Sequence, residues 1–113
     1  MYRLYGIPTQ NTLKVGYVLD AAGVDYEYQC IDLSKREHKG EAFLKINPIG
    51  KVPALKHNDF SMFESGAICR YVANVENSPL YPEDKKLRAE NDQWIDFMGH
   101  HLGRWLSTGP PNY

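Results

Sequence analysis

The sequence predicts an α/β fold in which a mixed four-stranded sheet, flanked by helices, is built in the order β-α-β-α-β-β-α. A linker and one long α-helix follow. Three observations predict it. Short runs rich in β-branched and aromatic residues alternate with segments whose apolar residues recur at helical spacing. Two of those runs, VPALKH and DFSMF, stand on either side of Asn58–Asp59 and read as a hairpin. A proline-bearing stretch, NSPLYPEDKK, then sets off a last amphipathic segment.

In order, residues 2–5 (YRLY) make a short strand that stops at Gly6 and Pro8. From 11 to 22, Val15, Val18, Leu19 and Ala22 fall on one helical face, and Gly23 follows as a stop. VDYEYQCI, 24–31, reads as the second strand. The polar stretch 34–46 carries a weak helix in its second half and ends before Asn47–Pro48. In VPALKH, Pro53 sits where a strand needs a backbone N–H, and proline is tolerated mainly at strand starts, edges and bulges. Residues 64–75 form a helix with Ile68, Tyr71, Val72 and Val75 on one side. Leu87, Asn91, Trp94, Met98, His101 or Leu102, and Trp105 trace the last helix, and STGPPNY ends it. That helix has an apolar seam with few partners inside this chain.

Composition narrows the function classes. The chain has 113 residues, enough to bury roughly two-thirds of its unfolded surface in a real core. A net charge of −1 gives no electrostatic footprint for nucleic acid or an anionic membrane. No apolar run approaches the roughly 18 residues of a membrane span, and MYRLYGIP lacks the features of a signal peptide. Cys30 and Cys69 form no CxxC pair, which suits free thiols in a reducing, cytoplasmic setting, each as a small buried hydrophobe. His57, His100 and His101 lack metal-ligand spacing and are expected at a surface or interface, so no metal is expected. Tyr71, Tyr81, Trp94 and Trp105 are expected to pack in a core or interface.

The stretches LYGIPTQNTLKV (4–15), EHKGEAFLKINPIGKVPAL (37–55) and FESGAICRYVA (63–73) occur in order with compatible spacing. Through them, residues 2 to about 106 resemble the N-terminal half of a cytosolic glutathione transferase, nearest the serine-type classes of plants and bacteria. The resemblance implies a thioredoxin-like, glutathione-binding domain over 1–76 and a linker over 77–83. It further implies that 84–106 is the first helix of a truncated all-α C-terminal domain, with a tail at 107–113. It implies a transferase that binds glutathione as co-substrate and joins it, as thiolate, to a small electrophile. A homodimer or swapped oligomer through the last helix is expected. The alternative is a non-catalytic glutathione-binding or protein-interaction module.

The resemblance also implies a cis bond ahead of Pro53, with the backbone of Val52 facing the ligand. Glutathione's cysteinyl part offers one amide N–H and one C=O, which such a backbone can bond like a short added strand. Glu64 and Ser65 stand where the third helix begins, and helix N-termini bind anions. Ser65 can hold the γ-glutamyl carboxylate and Glu64 the ammonium; the same two residues also suit a plain helix cap. His38, Lys39 and Lys51 are the cations available for the glycyl carboxylate. A thiol of pKa near 8.5 is only slightly ionised at neutral pH, so a hydroxyl that bonds to sulfur favours the thiolate. The family's serine aligns with Thr9, whose β-branching restricts its rotamers. Thr9 and Asn11 also serve as candidate caps of the first helix.

Overall fold

The computed structural model of the chain describes residues 1–102. Strand β1 (Tyr2–Gly6), helix α1 (Gln10–Ala21) and strand β2 (Tyr26–Cys30) come first. A 3₁₀ turn (Glu37–Lys39) and the single-turn helix α2 (Glu41–Leu44) follow. Strands β3 (Ala54–His57) and β4 (Phe60–Phe63) form the hairpin, and helices α3 (Ser65–Val75) and α4 (Lys85–Phe97) complete the order. A π-helical turn, Met98–Leu102, continues α4. The expected continuation to 106 and the tail at 107–113 lie outside the described residues.

The strands lie in the order β2-β1-β3-β4, with β1 parallel to β2 and antiparallel to β3. Side chains alternate across a strand, so β1 feeds two cores. Tyr2 and Leu4 point to one face, where they meet Val15 and Leu19 of α1, Leu55 of β3, and Ile68 and Val72 of α3. Tyr5 points to the other, where it meets Ile31, Phe43 of α2 and Ala54, its ring edge-on to Phe43 at 5.9 Å. The sheet therefore lies between α1 and α3 on one side and α2 on the other.

Local chemistry explains where elements stop. Gly23, at φ +72°, follows α1 as its stop. In α4 the Asp84 carboxylate accepts a hydrogen bond from the Leu87 N–H at 3.0 Å, closing one free donor of the first turn. Helix α4 is tied to the rest by Arg70, which reaches Asp92 at 3.4 Å and Asp96 at 3.7 Å, and by the Tyr81 hydroxyl donating to Asp92 at 2.9 Å.

Three expectations change. Val75 is 41% exposed, and Ala73 is buried on α3 in its place. His57 is half-buried rather than freely exposed: its ring stacks on Tyr2 with centroids 4.0 Å apart, and Nδ1 lies 2.7 Å from the Tyr71 hydroxyl. Cys30 is exposed, not a small buried hydrophobe. The thiols therefore differ, because burial pushes the pKa of Cys69 up to about 11. Since the thiolate is the nucleophile, iodoacetamide at pH 7.5 is expected to alkylate Cys30 in the native protein and spare Cys69. Peptide mass analysis checks this, and equal labelling would contradict the packing around α3. Among the described residues no helix is long and apolar enough to cross a membrane.

Candidate functional site

The loop from 47 to 53 is set by a buried side chain. Asn47 is fully buried, its Nδ2 donates to the Lys51 carbonyl at 2.8 Å, and its Oδ1 accepts from the Ile49 N–H at 2.9 Å. Gly50, at φ +69°, completes the turn, and a Cβ there would stand 2.9 Å from the His38 carbonyl and 2.8 Å from Lys39 Nζ. The 3₁₀ turn thus presses on this loop, and Lys39 Nζ donates to the Ile49 carbonyl at 3.3 Å. Beyond it the Val52–Pro53 bond is cis, and strand pairing begins only at Ala54. Pro53 therefore precedes the strand, and Val52 keeps its amide and carbonyl outside the paired ladder.

The hairpin brings the second half of the site alongside. Because His57 pairs with Phe60 and Ala54 with Phe63, residue 53 must lie beside residue 64. Glu64 is the residue before α3, at φ +75° and ψ +109°, a conformation that costs a non-glycine residue on the order of 1–3 kcal/mol. No side chain caps α3; the Ile68 N–H closes its first turn on the Glu64 carbonyl at 2.9 Å. The leading amides of α3 thus face outward with the positive end of the helix dipole.

Between these halves lies a cleft of about 180 Å³ lined by Lys51, Val52, Pro53, Glu64, Ser65 and Asn11, among others. A neighbouring hollow of about 280 Å³ shares Asn11, Glu64 and Ser65 and runs between α3 and α4, past Arg70 and Asp96. The expected residues Lys51, Val52, Pro53, Glu64 and Ser65 therefore converge. His38, Lys39 and Thr9 are not among the walls. Lys39 is occupied on the loop, and His38 Nδ1 is buried without a partner among the described residues. Thr9 is the exposed N-cap of α1; its side chain makes no cap bond, and its Oγ1 lies 3.5 Å from Thr12 Oγ1. Asn11, read from sequence only as a cap candidate, lines both hollows. Asn47 was missed, although an Asn-Pro pair ahead of a glycine is a usual place for a side chain that bonds its own loop.

Chemically, the cleft offers a cation at Lys51, a carboxylate at Glu64, free helix amides at Ser65 and an unpaired extended backbone at Val52. That set fits an elongated zwitterion with a peptide-like middle. Among the described residues no three of His, Cys, Asp and Glu gather as a metal site would need.

A family model of the glutathione S-transferase N-terminal domain matches residues 1–74. The chain belongs to that family. It is 38% identical over 104 residues to glutathione S-transferase 3 of Zea mays, a match that covers 88% of this chain and 46% of that protein. Among solved structures, glutathione S-transferase-I bound with lactoylglutathione superposes with a TM-score of 0.86 at 35% identity, over 94% of this chain and 52% of that one. Ure2p in complex with glutathione superposes with a TM-score of 0.90 at 27% identity, over 94% of this chain and 52% of that one. The chain spans about half the length of the curated relatives it matches.

Proposed function

We propose that this glutathione S-transferase domain binds glutathione in the cleft between the 51–53 loop and the start of α3, and that the bound thiolate attacks a small electrophile. One observation carries the reading: a hairpin register that sets Val52–Pro53 beside Glu64–Ser65. In it, Ser65 and the amides of α3 take the γ-glutamyl carboxylate, Glu64 takes the ammonium, and Val52 bonds the cysteinyl amide. Lys51 takes the glycyl carboxylate, with Lys39 and His38 holding the loop that carries it. Two similar structures are bound to glutathione or to lactoylglutathione, which supports the choice of tripeptide. Leu87, Trp94 and Met98, each about half exposed on α4 and the turn after it, support self-association through that segment.

Calorimetric titration with glutathione tests the binding step. A hydrogen bond to a charged group contributes about 1.5–3 kcal/mol, so Ser65→Ala is expected to weaken binding roughly tenfold or more. Unchanged affinity in Ser65→Ala would remove the Ser65 hydroxyl from the site. The catalytic step rests on Thr9 supplying a hydroxyl to sulfur. A second reading, a binding module without turnover, is favoured by the exposure of Thr9 and its absence from the walls. Glutathione-dependent conversion of a chloronitrobenzene separates the two: turnover that falls in Thr9→Ala supports transfer, and no turnover in the parent supports the binding module.

A further inference from the structure

Away from the glutathione cleft, a groove of about 400 Å³ lies between α1 and the edge of the sheet at β2. It shares no wall residue with either hollow at the start of α3. Its volume falls within the range of small-molecule sites, and its walls combine apolar surface with a few convergent polar groups. Leu4 and Leu13 supply aliphatic surface, and Tyr17, Tyr26 and Tyr28 supply three rings. None of these rings contacts another aromatic ring among the described residues, so their faces are not occupied by each other. Leu13, Tyr17 and Tyr28 are 63%, 66% and 46% exposed, an unusual concentration of apolar surface in water on one corner of a small domain. Gly16 opens the floor, because the Tyr26 hydroxyl reaches to 3.4 Å from where a Cβ would stand.

The polar chemistry selects the occupant. Asp20 is the one charged residue on the walls, which Tyr26 also lines, and it has no cationic partner among the described residues. No lysine, arginine or histidine lines the groove. A carboxylate among tyrosine faces attracts an ammonium twice, by ion pairing and by the negative faces of the rings. The same arrangement repels an organic acid.

We propose that this groove is a second binding site, for a small aromatic amine whose ring lies among Leu13, Tyr17 and Tyr28 and whose ammonium pairs with Asp20. The site is independent of glutathione. Titration of the full 113-residue chain with 2-phenylethylamine, followed by amide NMR shifts, tests it, with 3-phenylpropionate as the anionic counterpart of similar shape. Saturable shifts are expected at residues 13–20 and 26–28, with the acid binding at least fivefold more weakly. Asp20→Asn removes the charge at nearly unchanged size and is expected to weaken the amine at least fivefold while leaving the acid no weaker. Tyr17→Ala, at an exposed position, is expected to weaken both ligands. Saturating glutathione is expected to leave the amine's affinity unchanged. Equal binding of amine and acid, an unaltered affinity in Asp20→Asn, or shifts centred on Lys51–Ser65 and competed by glutathione would each overturn the proposal.

Discussion

Replacing Leu55 by alanine is expected to destabilise the fold by about 3–4 kcal/mol, near a third of what holds a domain of this size together. Leu55 is fully buried at the centre of the larger core. It stands opposite Leu4 on β1 and Met62 on β4, on the face covered by α1 and α3. Truncation removes its transfer free energy and leaves a cavity that two strands and two helices must close over at once. Close-packed neighbours on several elements relax only in part, which places the loss in the upper half of the usual Leu→Ala range. Urea unfolding should show a lower midpoint with an unchanged slope, since the surface exposed on unfolding barely alters. Leu33→Ala is the comparison: Leu33 is 40% exposed and outside both cores, so a change within about 0.5 kcal/mol is expected. A loss below 1 kcal/mol at Leu55 would mean that α1 and α3 do not pack on the sheet as described.

Most of this architecture was legible in the sequence because two periodicities are clean. Val15 and Leu19, four apart, are both fully buried, and so are Ile68 and Val72. Adjacent Leu4 and Tyr5 serve opposite faces of the sheet, as strand alternation requires. The site's central pairing was legible too. A turn at Asn58–Asp59 brings 57 against 60, and simple counting then sets 53 beside 64.

What was not legible depended on local polar bonding or on loop direction. The weak helix read in the second half of 34–46 is present as α2. The 3₁₀ turn ahead of it was not foreseen, because it depends on polar side chains that bond the backbone. The Asp32 carboxylate accepts from the Ser34 N–H at 3.0 Å and Glu37 from the Asp32 N–H at 2.7 Å, which holds a turn where helix would otherwise run. The place of Asn11 on the cleft wall was hidden for a different reason. Thr9 and Asn11 lie two residues apart at the start of α1, and which of them lines the cleft is decided by the path of the 7–9 loop. No periodicity encodes that path.

Asn47→Ala is expected to act on stability and on the proposed binding site together. The side chain is fully buried and fills both its donor and its acceptor roles within one loop. Alanine would leave the Lys51 carbonyl and the Ile49 N–H without those partners and open a small cavity beneath the turn. Both backbone groups belong to residues with exposed side chains, so water replaces part of what is lost. The net loss is therefore expected near 2 kcal/mol, toward the middle of the range for unsatisfied groups. The same bond to Lys51 fixes the chain immediately before Val52, and a freer loop must be ordered again whenever a ligand binds. Glutathione affinity, measured by calorimetry at a temperature where the variant remains folded, is accordingly expected to fall about three- to tenfold, mostly as a less favourable entropy. A control at Asn58, on the opposite end of the hairpin, separates the two effects, because loss of its contact with the N-terminal amine at 2.8 Å leaves the 47–53 loop alone. If Asn47→Ala lost stability but held glutathione as tightly as the parent, the shape of that loop would not be what prepares Val52 for a ligand, and the α3 terminus would have to supply the affinity by itself.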